Sequence, residues 1–211
     1  MDILLKLIAL IIGYFLGCFV SAYYLGKKIN DFDIRQHGTF NPGSANVTAL
    51  MGWKYGTITL IADLLKGFIA VWIIKLIMPE VEGAEYYAGA SAVLGHLYPY
   101  QLEFKGGKGV VTFIGAVIGL SVPAGLSLGA LFVVLTLILN YVSVAGLFVL
   151  FIGPFLLYFE FDNFEISYLY AIVAYIGISK HRENIYKLRQ GTEQGFREFI
   201  YDNQDSKDIS I

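Results

Sequence analysis

Phe104-Lys105-Gly106-Gly107-Lys108-Gly109 sets two lysines among three glycines and runs directly into an apolar segment that begins at Val110. Glycine lets a backbone approach a ligand closely, and a helix starting after such a loop turns its free N–H groups and positive dipole end back toward it. Ammonium and backbone N–H groups together make a seat for an anion, with phosphate the obvious candidate. The string is not a nucleotide-binding P-loop, because Gly109 follows Lys108 where that motif needs Ser or Thr. A glycine- and lysine-rich turn can equally be a plain cytoplasmic connector between two membrane helices.

Two further stretches hold more hydrogen-bonding side chains than a connector needs. In 38–47, Thr39, Asn41, Ser44 and Asn46 are interleaved with Gly38 and Gly43. That composition suits either a folded loop aiming several donors at one oxyanion or an ordinary turn that caps the next helix. Lys180-His181-Arg182-Glu183-Asn184 brings His, Arg and Asn within four residues, as ligands or as a positively charged anchor at a helix end. Asp63 and Lys66 lie one helical turn apart within an apolar segment, so they share a face and can form a structural ion pair. His96, just before Tyr98 and Pro99, is placed to order the Lys/Gly loop from a helix end. His37, His96 and His181 are too scattered for a metal motif and the lone Cys18 can form no intrachain disulfide, so neither a metal nor another cofactor is expected.

The composition says what must hold these groups in place. Of 211 residues 56% are hydrophobic and 15% charged, with a mean hydropathy of +0.63, which places the chain among membrane proteins. A net charge of −2 excludes a strongly basic nucleic-acid binder. Ile3 to Leu25 is long enough to cross the roughly 30 Å hydrocarbon layer and reads as a first span rather than a cleaved signal peptide. Its Gly13, Gly17, Ser21 and Gly26 suit close helix packing. Thr57 to Met78, Tyr86 to Tyr100, Val142 to Phe159 and Ile166 to Ile178 are further apolar segments. Val110 to Leu139 is too long for one untilted helix, and Ser121-Val122-Pro123 divides it into two short ones.

The expected fold is an all-α integral membrane protein of about seven transmembrane helices, with residues 1–211 forming one membrane-embedded unit and about 198–211 a polar cytoplasmic tail. The distribution of Lys and Arg puts the N-terminus outside and the C-terminus in the cytoplasm, with Lys27, Lys28, Arg35, Lys54, Lys105, Lys108, Lys180 and Arg182 on the cytoplasmic side. All three polar stretches then share that face.

Together these residues resemble the bacterial acyl-phosphate-dependent glycerol-3-phosphate acyltransferases. The resemblance rests on the Gly/Asn loop, on Gly95-His96-Leu97-Tyr98-Pro99 leading to the Lys/Gly loop, and on His181-Arg182-Glu183-Asn184-Ile185 with Gly191 and Glu193 beyond. Asp63-Leu64-Leu65-Lys66-Gly67 is similar to the family's segment in the second helix. The resemblance implies a multi-pass enzyme of the bacterial cytoplasmic membrane that transfers a fatty acyl group from acyl phosphate to the 1-hydroxyl of glycerol 3-phosphate. The products would be lysophosphatidic acid and phosphate. Its partners would be those two substrates and the bilayer, with no nucleic acid, and it would act as a monomer.

Carried over position by position, the resemblance implies that Lys108 holds a substrate phosphate near the backbone of Gly106 and Gly107; Lys105 and Arg182, from the same two stretches, are further substrate-binding candidates. Thr39 stands where the family has a serine that contacts acyl phosphate; Asn41, Gly43 and Asn46 match the rest of that loop, and Ser44 lies within it. His181 and Asn184 match phosphate-binding residues, and Ser143 is similar to a serine at the acceptor site. Two positions depart from the pattern: Phe40 stands for a glycine, and Ala49 for an arginine whose guanidinium would clamp the acceptor phosphate. These departures suggest an alternative in which acyl phosphate serves a different hydroxyl acceptor. A non-enzymatic anion carrier is a further reading, and the lack of an inverted repeat speaks against it.

Overall fold

The computed structural model describes residues 1–200, and those residues form helices and connecting turns without a strand. The expected polar tail therefore lies mostly outside the described residues. In chain order the helices are α1 (Asp2–Gly17), α2 (Ser21–Asn30), α3 (Ser44–Met51), α4 (Trp53–Ile77), α5 (Ala84–Leu97), α6 (Val110–Leu120), α7 (Val122–Leu139), α8 (Val142–Phe161), α9 (Phe164–Ser179) and α10 (Arg182–Gln190). Three helical stretches, Asp2–Asn30, Val122–Leu139 and Val142–Phe161, are long and apolar enough to cross a membrane, and α6 and α9 are shorter apolar helices. In α4 the apolar run carries Lys54, Asp63, Lys66 and Lys75.

The division of the long apolar segment falls where the proline suggests. Ser121 ends α6 and accepts a hydrogen bond on its side chain from the Ala124 backbone N–H at 3.4 Å, and Pro123 sits in the first turn of α7, where its missing N–H costs nothing. Only the first of the pair is short: α7 has 18 residues. The first span differs from the expected continuous helix, because α1 stops at Gly17 and α2 resumes at Ser21. The carbonyls freed by that break are taken from elsewhere in the chain, Cys18 O by Gln101 Nε2 at 2.5 Å and Phe19 O by Lys66 Nζ at 2.8 Å. Without such partners they would be costly orphans inside a membrane.

Small residues set how the helices pack. Gly17 of α1 meets Ala92 of α5 so closely that a Cβ would strike the Ala92 carbonyl, and Gly95 of α5 stands in the same relation to Tyr14. Gly67 of α4 and Gly115 of α6 repeat the arrangement against Thr112 and Leu64. The main core lies among α5, α6, α8 and α9, where Phe113, Leu150, Leu157 and Tyr170 are fully enclosed. At the end of the bundle away from the Lys/Gly loop, Lys6 pairs with Glu165 at 2.7 Å and Lys75 donates to the Gly119 and Leu120 carbonyls. Lys6 and Lys75 are thus both tied to the protein.

Candidate active site

The Lys/Gly loop is held by the helix it leaves. Gly106 and Gly107 donate their N–H groups to the carbonyls of Leu97 and His96 at 3.2 and 3.1 Å, folding the loop back on the end of α5. Both need to be glycine for reasons of space: a Cβ on Gly106 would strike the His96 carbonyl, and one on Gly107 the His96 ring. Gly109, with φ +82°, turns the chain into α6. Behind the loop, Lys66 Nζ lies 2.9 Å from Asp63 Oδ1 and 2.6 Å from His96 Nδ1, all three side chains being buried. A protonated Lys66 leaves His96 Nδ1 the acceptor role. The three residues form a scaffold beneath the loop.

In front of the loop, four segments converge on Lys108. Its Nζ donates to Asn184 Oδ1 at 2.5 Å. Asn184 Nδ2 donates to Glu193 Oε1 at 2.7 Å, and Ser143 Oγ donates to the same oxygen at 2.6 Å. These side chains come from the start of α6, the first turn of α10, the chain beyond α10 and the first turn of α8. Gly177 of α9 packs close to this point, where a Cβ would crowd the Leu150 side chain at 2.9 Å and the Lys108 carbonyl at 3.1 Å. Burial pushes the Lys108 ammonium below its ordinary range, while Glu193 and Glu183 pull it back up.

His181 caps this arrangement. It is 2% exposed, and its Nδ1 lies 2.8 Å from the Gly177 carbonyl, which only an N–H can satisfy. Burial, with the Lys108 charge adding to it, pushes the imidazole down to about 4. A neutral ring with Nδ1–H engaged leaves Nε2 a lone pair, which can accept from a hydroxyl or a protonated phosphate oxygen but has no proton to give a bare oxyanion.

The first loop is built differently from what its polar residues suggest. Asn46 is 1% exposed and its amide is spent on the loop itself: Oδ1 accepts from Thr39 N at 2.9 Å, and Nδ2 donates to the carbonyls of Ile34 and His37. It therefore staples the loop rather than facing outward as a ligand. Gly43 is the N-cap of α3, Ser44 its first residue, and Asn41 Nδ2 lies against Gly43. Thr39 is exposed. Among the described residues no hydrogen bond joins Thr39, Asn41 or Ser44 to Lys108. The two loops are joined through Arg35, which grips Asp33 at 2.7 Å and donates to Leu102 O at 2.7 Å, and through packing of Ile34, Val47 and Leu102. Phe40, where the resembling family has glycine, has φ +59°, a region in which glycine is unstrained and phenylalanine is not. Ala49 is exposed on α3.

Two expected cations stand apart from the cluster. Lys105 turns outward to Glu103 at 2.8 Å with both side chains mostly exposed, and Arg182 is exposed on α10. Glu193, on the other hand, is a member of the cluster that residue types alone do not single out. Its only sequence signal is its place after Gly191 at the end of the third motif.

Fold and site together define a helical membrane protein that gathers a lysine, an amide, a serine and an imidazole at one end of its bundle. The sequence model of the Glycerol-3-phosphate acyltransferase family matches residues 7–191. Among curated relatives, the glycerol-3-phosphate acyltransferase of Geotalea daltonii is 41% identical over 192 residues, covering 90% of this chain and 97% of that protein. That of Alkaliphilus metalliredigens is 36% identical over 192 residues, covering 90% and 96%. The crystal structure of PlsY (YgiH), an integral membrane glycerol 3-phosphate acyltransferase, in its glycerol 3-phosphate form superposes with a TM-score of 0.83 at 31% identity, covering 90% of this chain and 95% of that one. Its lysophosphatidic acid form gives 0.80 at 30%, covering 93% and 98%. The chain belongs to the glycerol-3-phosphate acyltransferase family and is a multi-pass membrane protein.

Proposed function

We propose that this chain transfers a fatty acyl group from acyl phosphate to the 1-hydroxyl of glycerol 3-phosphate, releasing lysophosphatidic acid and inorganic phosphate. The observation that carries the reading is the convergence of Lys108, Asn184, Ser143 and His181 at the start of α6 in a chain whose relatives are named glycerol-3-phosphate acyltransferases. The bundle end bearing the site faces the cytoplasm in this reading, with the N-terminus outside and seven spans formed by α1 with α2, then α4 to α9, in a bacterial cytoplasmic membrane. The chain acts as a monomer and as one membrane-embedded unit.

Acyl phosphate is a mixed anhydride, so its phosphate is already a good leaving group. The hydroxyl oxygen attacks the acyl carbon, the tetrahedral oxyanion collapses, and the carbon–oxygen bond to phosphate breaks with the electron pair leaving on phosphate. The hydroxyl proton passes to a phosphate oxygen, so the protein need only orient the two anions and offset their repulsion. Lys108 supplies positive charge in a half-buried site, where it counts for more than in water. The free N–H groups of the first turn of α6 add to it. Asn184 and Ser143 bind phosphate oxygens, and His181 Nε2 accepts the acceptor hydroxyl and aims it. The first loop, with Thr39 and Asn41, forms the wall joined to this site through Arg35.

The test is purified protein with synthetic acyl phosphate and labelled glycerol 3-phosphate. Labelled lysophosphatidic acid supports the reading; none, with a relative active in the same assay, refutes it. Ala49 favours one second reading, acyl-phosphate chemistry with another hydroxyl acceptor. Phosphate release that requires a different polyol or alcohol, and not glycerol 3-phosphate, would select it.

A further inference from the structure

The donors of the proposed phosphate site are already engaged. Ser143 has a single O–H, and it points at Glu193 Oε1. Asn184 has two N–H bonds, one of which goes to the same oxygen, and its own Oδ1 takes one from Lys108. A carboxylate thus stands where an anionic substrate would have to bind, with the charge and the acceptor geometry of a phosphate oxygen.

Its carrier is a strap fixed on both sides of Glu193. On one side Gly191, with φ +68°, ends α10, and Thr192 N donates to Lys187 O at 2.9 Å. On the other, the turn between α7 and α8 receives the chain. Asn140 accepts from Phe196 N on its carbonyl at 2.6 Å and from Arg197 N on Oδ1 at 2.8 Å. The following residues, 196–200, are helical and set the Phe199 ring edge-on to Trp53 at the start of α4, 5.8 Å between centroids. The strap therefore runs from α10 across the end of the bundle to α4. The family match ends at residue 191, where the strap begins.

We propose that Glu193 is an internal surrogate for the substrate phosphate. It holds the Ser143 and Asn184 donors in place while the site is empty and yields them to the incoming anion, with the strap 191–199 as the arm that carries it in and out. The inference rests on the assignment of Lys108, Asn184 and Ser143 as the phosphate site. It makes Glu193 a positioning residue and a selectivity filter: an anion of low charge gains too little from Lys108 to displace a carboxylate, whereas a phosphate dianion gains more.

Inorganic phosphate binding, measured by calorimetry on protein in detergent, tests it. Glu193→Gln keeps an amide oxygen that accepts from Ser143 and Asn184 but removes the competing charge. It is expected to bind phosphate about tenfold tighter than the parent and to be inhibited by product phosphate at correspondingly lower concentration. Releasing the strap without touching Glu193, by Asn140→Gly with Phe199→Ala, should shift affinity in the same direction; Asn140→Gly keeps the left-handed backbone found there at φ +64°. Unchanged or weaker phosphate binding in the strap-release variant, or in a folded Glu193→Gln, overturns the surrogate role. Lys108→Ala separates the two claims. If the parent binds phosphate and Lys108→Ala does not, the site assignment stands whichever way Glu193→Gln behaves. If Lys108→Ala binds as well as the parent, the site and its surrogate fall together.

Discussion

Lys108 Nζ donates to Asn184 Oδ1 at 2.5 Å, joining two segments 76 residues apart in the chain. The bond fixes the orientation of the Asn184 amide, because its oxygen must face Lys108 and its nitrogen Glu193. A lysine that looks from the sequence like a solvent-facing positive charge is thereby a half-buried group with a defined direction.

Lys108→Ala should lower kcat/KM for acyl transfer by at least about a hundredfold, the usual scale for removing a charge that stabilises an oxyanion. The variant should still extract as a folded protein, because Lys108 pairs with a side chain at the edge of the bundle rather than within its core. Steady-state kinetics together with gel filtration in detergent check both halves.

Ala49→Arg should lower KM for glycerol 3-phosphate by about tenfold, the value of one charge-assisted hydrogen bond to phosphate. Residue 49 is exposed on α3, so the longer side chain has space. Initial rates over a range of acceptor concentrations decide it; an unchanged KM would mean that α3 does not border the acceptor.

Phe40→Gly should stabilise the protein by about 0.5–1 kcal/mol, the cost of a left-handed non-glycine residue less the extra chain entropy glycine loses on folding. Phe40 is 64% exposed and gives up little packing. Thermal unfolding in detergent reads the difference.

Gly17→Ala should destabilise by about 2–3 kcal/mol, because the new Cβ meets the Ala92 backbone rather than a movable side chain. The melting temperature should fall more than for Gly191→Ala, where nothing lies nearby and only the backbone conformation opposes the change.

His181 gives stability a pH dependence with a definite sign. Its folded-state pKa of about 4 lies below the ordinary 6.5, so the unfolded chain takes up the proton first as pH falls. Stability should decline from pH 6.5 down through pH 4 and level off below, by up to about 3 kcal/mol in all. Denaturation between pH 7 and 4.5 should show this slope, and His181→Gln should flatten it.

Much of the fold is legible in the sequence, because apolar length and a proline act locally: the Ser121–Pro123 division needs nothing beyond its own neighbours. The break at Cys18–Val20 is not, since its carbonyls are satisfied by Gln101 and Lys66 from distant parts of the chain. Helix α3 is hidden in a polar stretch because only Asn46, Val47 and Thr48 of its eight residues are buried. In the site, Lys108, His181 and Asn184 can be picked out by type and motif, and Ser143 only through the family resemblance. Asn46 has the same polar character and turns out to be structural, because sequence cannot say whether an amide faces its own loop or the space beyond it. Glu193 shows the converse: the sequence marks it only by its place beyond the third motif, and its contacts with Ser143 and Asn184 emerge when α8 and α10 are brought together.

The break in the first span also bears on how the chain is assembled. When Phe19 emerges from the ribosome, the lysine that will take its carbonyl is 47 residues away and not yet synthesised. Until α4 follows, the Phe19 carbonyl lacks the partner it has in the folded chain. The contacts that hold the Cys18–Val20 break are complete only once α4 supplies Lys66 and the segment after α5 supplies Gln101. The bend is thus held by tertiary contacts, and Lys66, already paired with Asp63 within its own helix, also satisfies the opening in a helix that precedes it in the chain.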